Sequence, residues 1–163
     1  MQLPSLSSLS KELKTLITAF VIVLSIGFYS GIRFVQHTDS QTPNGVYENY
    51  LGNEDDEEAE VFKFKKTQRE MISILHAHII SMALIFFAIG GILSMVPLNK
   101  KLKSFIMIEP FVSIILTFGG IFLMWMGLEW MRYVIIISGI LMTLCYTTSV
   151  LMILKTTLIP AKE

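Results

Sequence analysis

The sequence predicts an all-α fold, an integral membrane four-helix bundle with one long extramembrane loop between its first two helices. Three observations carry that expectation. The 163-residue chain is 53% hydrophobic and only 16% charged, whereas soluble domains carry roughly 25% charged residues. Its mean hydropathy is +0.62. Four stretches, at about residues 16–35, 71–98, 104–128 and 130–154, each reach the roughly 20 apolar residues needed to cross about 30 Å of hydrocarbon.

The first stretch, LITAFVIVLSIGFYSGIRFV, is longer than the 7–15-residue apolar core typical of a cleaved signal peptide, and Ile32-Arg33-Phe34 is a poor cleavage context. It is read as a retained helix. The loop at 37–69 follows, with turn chemistry at Pro43-Asn44-Gly45 and the acidic run Glu54-Asp55-Asp56-Glu57-Glu58 with Glu60. That run lacks the oxygen-ligand spacing of a calcium loop, so it reads as a solvated loop. The alternation Val61-Phe62-Lys63-Phe64-Lys65 is short enough to be a brief strand or an interfacial ribbon. The second and third stretches are joined by NKKLK, and the third and fourth by a tight hairpin at Gly127–Arg132. Backbone groups in lipid must pair internally, so all four spans are helices of a single transmembrane domain.

The net charge is zero and no basic surface is clustered, which argues against a nucleic-acid partner. Cys145 is the only cysteine, which excludes an intrachain disulfide and a multi-thiolate zinc site. Lys11, Lys14, Lys100, Lys101, Lys103, Lys155 and Lys162 fall on one side of the membrane. Arg33, Lys63, Lys65, Lys66, Arg69 and Arg132 fall on the other. The near balance decides little, but the compact NKKLK turn and the placing of the acidic loop outside favour both termini in the cytoplasm of a cell inner (plasma) membrane.

Ionisable side chains inside a span are costly and invite a functional question. His76 and His78 lie near the start of the second span and His37 ends the first, so all three reach one membrane face. Arg33, Glu129, Arg132 and both tryptophans, Trp125 and Trp130, converge on the same face. Residues two apart on a helix diverge by about 200°, so His76 and His78 cannot both ligate one metal. His76 shares a stripe with Ala83, Gly90 and Ser94, a small-residue face suited to close packing. His78 shares a bulkier one with Met82, Ile85, Ile89 and Ile92. On packing alone His76 is expected to face inward.

Three readings of this face stand. Two imidazoles on different helices can ligate a haem b, with Arg33 and Arg132 pairing its propionates. His, Met and Glu side chains can hold copper. Interfacial histidines, an aromatic belt and a snorkelling Arg33 need no cofactor at all. Elsewhere, Glu109-Pro110 sits near the opposite end of the third span. It reads either as a helix-start feature or as a carboxyl able to relay protons. Glu129 and Arg132 are expected to pair at the hairpin. Gly90-Gly91 and Gly119-Gly120 are expected to let helices approach closely.

The segment Ala77-His78-Ile79-Ile80-Ser81-Met82-Ala83-Leu84-Ile85-Phe86-Phe87, with Ile89-Gly90-Gly91 and Val96-Pro97-Leu98, resembles the second helix of haem-copper oxidase catalytic subunits. The first span, with Gly27, Gly31 and Arg33, is similar to the helix preceding it there. That resemblance implies an axial haem-ligand role for His78 and an N-terminus inside. The later helices that supply the family's other ligands have no counterpart here, so oxygen reduction does not transfer. The chain is also similar to small four-helix bacterial membrane proteins with a His-x-His near the second span's start. The functional expectation is a haem b-binding electron-transfer or accessory subunit of a respiratory or metalloenzyme complex, or a homo-oligomer, rather than a stand-alone enzyme. The alternatives are a cofactor-free accessory subunit and a copper-binding membrane protein.

Overall fold

A computed structural model describes residues 4–54 and 61–159. They form an all-α bundle with four helices long and apolar enough to cross a membrane. In chain order the helices are α1 (Lys11–His37), the short α2 (Pro43–Leu51), α3 (Gln68–Leu93), α4 (Lys100–Ile114), α5 (Gly120–Trp125) and α6 (Met131–Leu158). A π-helical turn, Ile115–Gly119, joins α4 to α5, so these three pieces make one span, Lys100–Trp125. The helices overrun the expected spans at most ends, because capped polar turns extend them beyond the apolar cores.

The caps are visible in the sequence as short polar residues. Leu13 N–H donates to Ser10 Oγ at 3.4 Å, and Lys101 N–H to Asn99 Oδ1 at 2.9 Å. Thr67 and Glu70 form a reciprocal capping box at the start of α3, with Glu70 N–H on Thr67 Oγ1 and Thr67 N–H on the Glu70 carboxylate. Each pairs a first-turn amide that helix geometry leaves open.

The expected turn at Pro43-Asn44-Gly45 is instead the first turn of α2. Thr42 caps it by accepting Gly45 N–H at 3.0 Å, and Pro43 occupies the first turn, where its missing N–H costs nothing. Burial against the bundle pushes the Tyr50 phenol of α2 up. The alternating segment that follows is no strand. Asn53 Nδ2 donates to Val61 O at 3.0 Å and Lys63 N–H donates to Asn53 Oδ1 at 2.6 Å, so one amide side chain takes the place of a partner strand. Apart from Glu54, the acidic run lies outside the described residues.

The core is lopsided. Within the most apolar window of each span, 44% of Lys100–Trp125 and 39% of α6 is buried, against 6% of α1 and 11% of α3. α6 is therefore the post on which the others pack. α1 joins it through hydroxyls, with Thr18 donating to Thr157 at 3.1 Å and Tyr29 paired with Thr147 at 2.8 Å. Between these, Phe28 stacks on Tyr146 (3.8 Å, 9°), and Phe86 of α3 meets both rings edge-on at 6.3 and 5.9 Å. At the lysine-bearing end, Leu6 N–H donates to Met95 O at 2.9 Å, so the chain start tucks under the end of α3.

The two glycine pairs do not act as pairs. A Cβ on Gly120 would lie 3.0 Å from Ile135 Cγ1 and 3.3 Å from Met131 Cε, whereas one on Gly119 would meet nothing within 4 Å. Gly90 faces Met107 at 4.0 Å and Gly91 is open. Replacing Gly120 with leucine is expected to destabilise the bundle by about 1–3 kcal/mol through overpacking. Gly119→Ala is expected to be near neutral. Thermal unfolding in mild detergent reads both, and equal losses would contradict the asymmetry.

Candidate functional site

Antiparallel packing brings the end of α1, the start of α3 and the α5–α6 hairpin to one end of the bundle. The Phe28–Phe86 contact sets the register. His37 lies nine residues beyond Phe28 and His78 eight residues before Phe86, about 13 and 12 Å along the two helices. The three histidines therefore share one level. His37 and Arg33 are exposed, and the Arg33 guanidinium reaches only Gln36 Oε1, at 3.4 Å.

On α3 the two stripes are buried to a similar degree. Ile89 and Gly90 are both buried, Met82, Ile85 and Ile92 are half-buried on the bulky stripe and Ala83 and Ser94 on the other, and His76 and His78 are both exposed. His78 follows that bulky stripe towards the π-helical turn, where its ring lies 5.1 Å from Phe118. Its Nδ1 lies 2.8 Å from Ile74 O. A carbonyl only accepts, so Nδ1 carries the proton and Nε2 points away with its lone pair free when the ring is neutral.

The hairpin presents Gly127 at φ +112°, a left-handed turn that suits glycine. The expected Glu129–Arg132 pair is not made. Among the described residues the ion pair is Lys63 Nζ–Glu48 Oε2 at 3.7 Å, while Arg132 turns to α2. Its Nη1 donates to Asn44 Oδ1 at 3.4 Å and its guanidinium lies 5.7 Å from the Tyr47 ring and 5.3 Å from the Tyr133 ring. Aromatic faces and an amide oxygen shield the cation better than an exposed Glu129 does. Trp125 Nε1–H donates to Lys66 O at 2.8 Å and Lys65 Nζ sits 5.4 Å over the same ring, while Trp130 is exposed. Only one of the two tryptophans therefore joins this cluster.

Two polar clusters escaped the sequence reading. Thr117 and Ser138 hydroxyls pair at 2.7 Å inside the bundle, tying the π-helical turn to α6. Nearer the lysine-bearing end, Ser113 Oγ donates to Glu109 Oε1, and Cys145 of α6 faces the same carboxyl. The i, i+4 spacing of Glu109 and Ser113 was a readable signal; the cysteine opposite was not. Among the described residues no three His, Cys, Asp or Glu side chains come together as a metal cage.

This architecture, four apolar helices around a core centred on α6, is that of a multi-pass integral membrane protein. Residues 40–163 match a family described as a transmembrane helical domain. The chain belongs to that family, and the matched region takes in α2 through α6. No curated protein and no solved structure matches.

Proposed function

We propose that the chain is a membrane-embedded subunit of a larger electron-transfer complex, in which His78 is an axial ligand of a haem b. The observation that carries this reading is the His78 ring. Its Nδ1–H is held by the Ile74 carbonyl and its Nε2 is left outward and free, the arrangement in which a backbone carbonyl orients a metal-binding imidazole and raises its basicity. The residues fit the group in further respects. Phe118 offers an aromatic face beside the imidazole, and His37 and Arg33 stand at the same level on α1 for a second ligand and a propionate partner. Arg132 is the other propionate candidate, although its guanidinium is already engaged by Asn44 and Tyr47. A haem b bound there would accept and donate single electrons. The protein's own part is to orient the imidazole and place cations near the carboxylates. The proposed location is a cell inner (plasma) membrane with both termini in the cytoplasm.

A second reading, a cofactor-free accessory subunit, draws support from the outer helices. α1 and α3 leave most of their apolar surface uncovered within the chain, with 6% and 11% of their apolar windows buried, so larger helical partners or a second copy have room to pack there. A copper centre has less support, since His76 and His78 diverge and no cage of three donors forms among the described residues.

The visible spectrum of the protein, expressed with ample haem, purified in mild detergent and reduced with dithionite, separates these readings. A b-type α band at about one haem per chain or per pair of chains is expected. A haem-free protein would overturn the haem assignment and leave the accessory reading, which a partner-free monomer would overturn in turn.

A further inference from the structure

We propose that Glu109 is a proton-binding site within the membrane, nearer the lysine-bearing end of the bundle than the histidine end. Glu109 lies nine residues, about 13 Å, past the start of α4, deep enough for the side chain to sit below the headgroups. One carboxyl oxygen, Oε1, is paired with Ser113 Oγ. The other, Oε2, is buried and has no hydrogen-bond partner. Behind the carboxyl stand Pro110 and Ser113, both fully buried.

The arrangement suits a group that gains and loses a proton. A carboxylate in this place would hold a buried charged oxygen without a protein donor, a costly state in a low-dielectric interior. In the acid form, Oε1–H and the Ser113 hydroxyl can share a hydrogen bond, and the unpartnered oxygen is then an uncharged carbonyl. The neighbouring groups allow this. From α6 the titratable group facing Glu109 is the Cys145 thiol. Tyr146, next in the chain, turns its hydroxyl to Ser25 instead. The part of α3 packed on α4, around Gly90, carries no titratable side chain. Lys103 is drawn away to Ser94 O at 3.0 Å.

Lys100, Lys101, Ser104, Phe105, Ile108 and Val112 line a shallow, open groove along α4 beside Glu109. Its mouth carries two ammonium groups and a hydroxyl, and its floor is apolar.

Hydrophobic dicyclohexylcarbodiimide reacts with protonated carboxyls in apolar surroundings, and so tests the proposal on the intact wild-type protein in vesicles. Peptide mass spectrometry is expected to place the adduct on Glu109, with a labelling rate that falls as pH rises. A water-soluble carbodiimide is expected to leave Glu109 unmodified. In infrared spectra, a carboxylic-acid C=O band is expected to shift on transfer to D2O and to be missing from Glu109→Gln. Absence of the Glu109 adduct, or a C=O band insensitive to D2O, would overturn the proposal whether or not the variant folds.

Discussion

Tyr146→Ala is expected to be the most destabilising single change in the bundle, costing about 3 kcal/mol or more, in the range of large aromatic truncations. Tyr146 is fully buried and touches both outer helices. Its ring stacks on Phe28 at 3.8 Å and meets Phe86 edge-on, so its removal opens a cavity walled by two more aromatics. In lipid the loss is chiefly one of packing, because apolar surface released from a helix interface is taken up by acyl chains.

The defect should also be directional. α1 is held to α6 by this ring and by three hydroxyl contacts, Thr18–Thr157, Ser25–Tyr146 and Tyr29–Thr147. It lies outside the matched region, 40–163. Tyr146→Ala is therefore expected to loosen α1 first and to leave α3 through α6 paired. Cysteine cross-linking of α1 to α6, compared with α4 to α6, reads this directly. Equal loss of both cross-links would contradict an α6-centred hierarchy. Tyr146→Phe keeps the stack and loses only the 3.3 Å contact to Ser25. It is expected to cost about 0.6 kcal/mol, the mean for interhelical hydrogen bonds in a membrane.

The four spans were legible because continuous apolar runs of that length have one stable form in lipid, the helix. What escaped depended on partners. Thr42-Pro43-Asn44-Gly45 has the composition of a turn, and the same residues make a capped helix start; nine residues of α2 are too few for a periodic signal to decide between them. The π-helical turn carries no local mark in Ile115–Gly119, since it answers to the Thr117–Ser138 pair across the interface. Arg132 left Glu129 for Tyr47 and Asn44, residues about 85 positions earlier that only the fold brings near. The level shared by the histidines followed from topology alone. Which of the two on α3 meets another ring did not, because Phe118 beside His78 is distant in the sequence and only the fold brings it near.

If the proposed function is correct, His78→Ala is expected to abolish the reduced α band, and His76→Ala to leave it in place. The contrast rests on the rings' different surroundings. His78 has its Nδ1 proton tied to Ile74 O at 2.8 Å and Phe118 beside it, so its Nε2 is oriented before any ligand arrives. His76 lies about 200° around the helix, away from Phe118, although both rings are exposed. His78→Met would keep a ligand in the same direction and should raise the reduction potential, as exchange of an imidazole for a thioether does at haem iron. His37→Ala then separates two sources of the second ligand. Loss of the low-spin spectrum would place it within the chain, across the level shared by α1 and α3. An unchanged spectrum would place it on a second copy or a partner helix packed on the uncovered face. Loss of the band in His76→Ala together with its survival in His78→Ala would refute the assignment. The tied Nδ1 of His78 would then be an ordinary helix contact, of the kind Ser81 makes to Ala77 O one turn later.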